Sequence, residues 1–243
     1  MSDDKTLVLE ATGVLYQLPL DETAFFQWLD KIPAVLSYSG YDRTLEIVIA
    51  RSAVDEDALS EFVALYRRYH IDPAELQVFA DHRRLGSWFS APDRFWHKEI
   101  FDRPPPAEDR RKGPLFSGEH VWSIESTVGT HRNVWPVDAD VIKVPDHVVL
   151  KATGVRYYST LDENAFFERL DEIPVVSSCQ GQLETLNINV NINSDGDEWD
   201  LAELAALYVR YNIDMTELRV LNAVRFGSWF SEPDRWWHKA VFG

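Results

Sequence analysis

The apolar positions change period along the chain, and each change marks an element. Leu7, Leu9 and Ala11 alternate with their neighbours in one phase, and Val14, Tyr16 and Leu18 do so in the other. A strand over residues 7–18, bulged at Thr12-Gly13, turns both sets toward one core, and glycine suits such a position. Phe25, Phe26, Leu29 and Ile32 follow at helical spacing, with Asp21 as the expected cap and Pro33 as the stop. A hairpin turning near Gly40 comes next. A second helix over residues 57–69 and a closing strand over residues 75–80 complete the order β-α-β-β-α-β.

The same pattern then returns. Ala11-Thr12-Gly13-Val14 recurs as Ala152-Thr153-Gly154-Val155, Asp21-Glu22 as Asp162-Glu163, and Arg68-Tyr69 as Arg210-Tyr211. The segment GSWFSAPDRFWHKEIF at residues 86–101 returns as GSWFSEPDRWWHKAVF at residues 227–242. The recurring unit is a whole domain, far too long for a short-repeat solenoid. In the second copy the hairpin turns near Gly181, the second helix covers residues 200–211 and the closing strand covers residues 217–222. Its third strand alternates cleanly, with Leu186, Ile188, Val190 and Ile192 against Asn187, Asn189, Asn191 and Asn193. Such a ladder predicts one buried and one wet or docking face.

These elements predict an α+β protein: a tandem duplication of a ferredoxin-like β-α-β-β-α-β domain, each copy with an extra C-terminal helix. The expected boundaries are residues 1–101 for the first acidic repeat, 102–147 for a connector and 148–243 for the second. The connector opens on a stiff Pro104-Pro105-Pro106 spacer followed by Arg110-Arg111-Lys112. Trp122, Ile124, Val134 and Trp135 make it apolar enough to predict a short hairpin or packed segment rather than a free linker.

Charge narrows the partners. The chain has 40 acidic and 24 basic residues and a formal net charge of −16. Each repeat nets −7 and the connector −2, so the acidity belongs to the repeated unit and not to a tail. Nucleic acid and anionic membrane surfaces are disfavoured, and a basic protein is favoured. A single cysteine, Cys179, points to a reducing, cytoplasmic setting and, by default, to a buried thiol. The N-terminal residues lack the pattern of a signal peptide, and no run approaches the length of a membrane span.

The closing segments carry the candidate chemistry. Asp93 and His97, like Asp234 and His238, are four apart, which on a helix lets a carboxylate orient an imidazole. Arg94 and Arg235 lie beside them, with Trp88, Trp96, Trp229 and Trp237 nearby, and Trp and Arg are the types enriched at binding hot spots. One reading makes these segments partner-binding surfaces, joined by Asp55, Asp57, Asp197 and Asp200 at the starts of the second helices. A plainer reading has the tryptophans packing a short helix and the acids complementing helix dipoles. The run Asn191, Asn193, Asp195, Gly196 imitates the opening of a calcium loop, but Ala202 stands where a bidentate glutamate is needed. No metal, no cofactor and no catalytic residue is predicted, and no nucleotide, zinc or redox motif occurs.

In acidity, size and the closing Trp-Phe-Ser…Pro-Asp-Arg-x-Trp-His-Lys segment, the chain resembles immunity proteins of bacterial polymorphic and contact-dependent toxin systems. The resemblance implies a non-enzymatic cytoplasmic inhibitor that holds a basic toxin domain by charge-steered association. The alternative is a small-ligand sensor or enzyme with a site between the repeats around His97 and His238.

Overall fold

A computed structural model describes residues 6–41, 43–102, 147–191 and 196–243. The expected connector hairpin, its basic run and the Asn193/Asp195 part of the calcium-loop imitation lie outside the described residues. The chain is α+β, with two three-stranded antiparallel sheets and flanking helices.

In the first repeat, β1 (Thr6–Thr12), β2 (Val35–Tyr41) and β3 (Thr44–Ala50) form a sheet in the order β1-β3-β2. Helices α1 (Pro19–Lys31) and α2 (Glu56–Arg68) follow β1 and β3, and the short helices α3 (Gly86–Phe89) and α4 (His97–Phe101) close the repeat. The second repeat repeats this order with β4 (His147–Thr153), α5 (Thr160–Glu172), β5 (Val176–Gln182) and β6 (Thr185–Asn191). It continues with α6 (Glu198–Arg210), α7 (Gly227–Phe230) and α8 (His238–Phe242). Even the register recurs: Leu9 faces Ile47 as Leu150 faces Ile188, and each β2-type strand slips at the same place, Val35/Ser37 and Val176/Ser178.

Strand periodicity puts Leu9, Ala11, Ile47 and Ile49 inside, against Phe25, Leu29 and Phe62 of the helices. The second core repeats the design with Leu150, Ile188, Val190, Phe166 and Leu204. Neither core is closed within its own repeat. Ala165 of α5 belongs to the first core, and Leu18 and Leu20 pack against the second.

Three expectations are corrected, and the hairpins turn near the glycines as expected. The closing strands over residues 75–80 and 217–222 are 3-10 turns, Pro73–Asp81 and Met215–Ala223. Met215, Leu218 and Leu221 are buried at spacing three, the repeat of a 3-10 helix, and Asp72 and Asp214 cap the two starts. Each 3-10 stretch packs beside β1 or β4, where the fourth strand was expected, so each sheet keeps three strands. There is no bulge at Thr12-Gly13: the strand ends there, and Gly13 and Gly154, at φ +72° and +69°, turn the chain out of the sheet. The hairpins turn just past Gly40 and Gly181, between Tyr41 and Thr44 and between Gln182 and Thr185. Asp21 does not cap α1, whose N-cap is Leu18 with Pro19 next; Asp21 sits fully buried in the first turn. Among the described residues no helix is long and apolar enough to cross a membrane.

Candidate functional site

The repeats meet through their helices. Near the crossing of α1 and α5, Gln27 pairs with Glu172 and Lys31 with Glu168, contacts that exchange under the repeat relation. The helices therefore run antiparallel about a pseudo-two-fold axis, and the interface has the isologous form of a homodimer.

At the centre lie the charged residues that recur in both copies. Arg68 donates from Nε and Nη2 to both carboxylate oxygens of Asp162, at 2.8 and 2.6 Å. Arg210 does the same to Asp21, at 3.0 and 2.5 Å. Each guanidinium also donates to the main-chain carbonyl of the other arginine, at 3.2 Å both ways, and to Arg156 or Leu15. Arg68 stacks on Tyr211 at 4.0 Å, and Arg210 on Tyr69 at 4.3 Å. Both aspartates are fully buried. Backbone amides of Gln17 and Tyr158 supply further bonds to the two carboxylates. For Arg68, burial opposes the charge, but the hydrogen bond and charge of Asp162 outweigh it and hold its pKa above the ordinary value.

The symmetry breaks at one pair of positions. Where the first copy has Trp28, donating to Glu61 at 3.0 Å, the second has Arg169. Arg169 bridges Asp21 at 2.8 Å and Glu203 at 3.0 Å, and its buried Nε has no protein partner. Glu61 and Glu203 each also reach the start of the other repeat's first helix, through Ser159 and Leu161 or through Leu20. Burial pushes the Glu203 carboxyl above its ordinary range, against the pull of Arg169.

The predicted site residues fall elsewhere. Trp96 and Trp237 are buried, and their indole N–H groups donate to the carbonyls of Phe89 and Phe230 at 2.9 and 2.8 Å. Trp88 and Trp229 are half-buried beneath Arg94 and Arg235, each guanidinium 4.2 Å from the ring. Asp93 and Asp234 are exposed and lie before α4 and α8, which start at His97 and His238. The expected carboxylate–imidazole stripe on one helix is not formed. The histidines stack instead on Phe101 and Phe242, at 5.2 Å in both copies. Their helices pack on the 3-10 stretches of their own repeats.

No family model, curated protein or solved structure matches this chain.

Asp55, Asp197 and Asp200 at the second helices are capping residues. Asp55 accepts from the amide of Ala58 at 2.8 Å, and Asp197 and Asp200 form a reciprocal capping box. Asp55 and Asp57 also border an open groove of about 530 Å³, walled opposite by Arg84 and Leu85. On the second sheet, Asn189 donates to Ser178 at 2.9 Å, and the repeats dock through helices rather than through this asparagine face. Cys179 is a half-buried free thiol whose pKa burial raises, which disfavours the reactive thiolate.

The residues that sequence reasoning passed over are Asp21, Asp162, Arg68 and Arg210. All four were noted as repeat signatures and none as a cluster. The signal was their recurrence as charged residues at matching positions of both copies.

Proposed function

We propose that the chain is a rigid acidic binding protein whose two repeats act as one body against a basic protein partner, as an immunity protein does against its toxin. The observation that carries this reading is the neutral buried cluster. Arg68, Arg169 and Arg210 are matched inside by Asp21, Asp162 and Glu203, so the whole formal charge of −16 is left to the rest of the chain. A fixed, strongly negative surface steers a positive partner and loses little entropy on docking. A cytoplasmic setting accords with the single free thiol. The strand order β1-β3-β2 with antiparallel pairing supports reading each copy as a ferredoxin-like unit whose fourth strand has become 3-10 turns.

The sensor or enzyme reading draws no support from the contact between the repeats, which is filled by ion pairs and aromatic rings around the two arginines. The test is to capture the partner from the native cell and measure its association rate against salt. A basic protein whose association slows about tenfold or more as ionic strength rises from low to physiological supports the reading. An acidic partner, or a salt-independent rate, overturns it.

A further inference from the structure

The two repeats share a fold but not a surface. At the second position of the second helix the first repeat has Asp57 and the second has Trp199. Trp199 is 59% exposed although it contacts Trp229 edge-to-face, with ring centres 6.1 Å apart. Trp229 in turn contacts Trp237, and Trp237 contacts Trp236, which is 47% exposed. Four tryptophans thus run in contact from the start of α6 to the start of α8. In the first repeat Asp57 removes the first of them, and Phe95 stands for Trp236.

Carboxylates frame the exposed end. Asp197, Glu198 and Asp200 flank Trp199, and Asp234 lies two residues before Trp236. Arg235, beside the cluster, lies over the Trp229 ring and is paired with Glu232, so its charge is already met. An exposed indole rimmed by acids presents an electron-rich face and a negative potential together, which is the chemistry that recognises guanidinium and ammonium groups.

From this we infer that the second repeat carries the contact surface for the basic partner, with Trp199 as its aromatic anchor and an Arg- or Lys-rich segment of another protein as its occupant. This rests on the acidic-binding reading and adds to it a location. It also makes the duplication asymmetric: the first repeat is the scaffold against which the second is held.

The experiment uses the full chain with deca-arginine and deca-lysine as probes, followed by tryptophan fluorescence at low salt. Trp199→Asp installs the residue that the first repeat already carries at this helix position, so the fold has a native precedent for it. The variant adds a negative charge while removing the ring, so charge and aromatic contact predict opposite signs. We expect Trp199→Asp to weaken binding about tenfold or more, Trp199→Phe to stay within about threefold of the wild type, and Asp57→Asn to change little. Wild-type binding with Trp199→Asp equal or tighter overturns the inference and leaves the acidic-binding reading standing. No binding of either peptide by the wild type overturns both. Trp199-dependent self-association in sedimentation would assign the surface to a second copy of the chain and overturn the inference as well.

Discussion

Arg68 and Asp162 show why a buried ion pair can be hard to replace. Removing one member of such a pair strands the other, at a cost of about 3–5 kcal/mol, and we expect Asp162→Asn to lose that much in chemical denaturation. Elsewhere, exchanging both members for apolar residues often restores stability. Here it should not. Arg68 also serves the carbonyls of Arg156 and Arg210, and Asp162 serves the amide of Tyr158. The double variant Arg68→Met/Asp162→Leu strips those side-chain partners from three backbone groups, of which the Arg210 carbonyl bond is buried. It should therefore be no more stable than Asp162→Asn, and recovery to near wild type would show that the pair acts alone.

Among the elements, the junction between each 3-10 stretch and the following short helix leaves no room for a side chain. A Cβ at Gly227 would lie 2.0 Å from the carbonyl oxygen of Asn222, and one at Gly86 2.0 Å from that of Ala80. The backbones touch, so the repeated glycine that starts α3 and α7 is a packing requirement. Gly227→Ala should cost about 3 kcal/mol, the upper end of overpacking. At Gly181 an added Cβ meets only Leu186 Cδ2 at 3.6 Å, and Gly181→Ala should stay within about 1 kcal/mol of wild type. Equal losses at the two glycines, measured by urea denaturation, would contradict this account. Burial likewise accounts for Trp96 and Trp237 of the closing segments, whose indoles bond the carbonyls of Phe89 and Phe230. Their repetition was legible in the sequence as a signature, but spacing alone does not distinguish an indole that seals a core, as Trp96 does, from one that faces a partner.

For the whole molecule, the interface is a ring of phenols and guanidiniums as much as a set of ion pairs. Burial pushes the hydroxyl pKa of Tyr16, Tyr69, Tyr157 and Tyr211 well above 10.0, and that of Tyr66 and Tyr208 beneath the sheets likewise. The folded chain keeps these protons while the unfolded chain releases them near the ordinary value. Their contribution to stability is therefore complete below pH 10 and is lost as pH climbs through the raised values. Alkaline titration should show tyrosinate absorbance and loss of far-ultraviolet circular dichroism rising together in one steep transition above pH 10. Gradual ionisation near 10 with the circular dichroism intact would mean that the interface phenols are open to solvent. Because both repeats contribute to this ring, the halves should unfold as one unit.

The sequence by itself determined the duplication, the helices and first three strands of each copy, the sign of the surface charge and the absence of familiar catalytic motifs. Those follow from local periodicity and composition, which act over a few residues or over the whole chain. Only the tertiary structure decided what Asp21, Arg68, Asp162 and Arg210 do. Arg210 meets Asp21 from 189 residues away, and no spacing within one repeat encodes a partner in the other. It also decided that residues 75–80 coil rather than extend. Leu76 and Phe79 satisfy the core at spacing three, and β1 takes the Tyr66 hydroxyl on the carbonyl of Glu10 where a fourth strand was expected. Burial geometry, which a linear pattern does not contain, settled both.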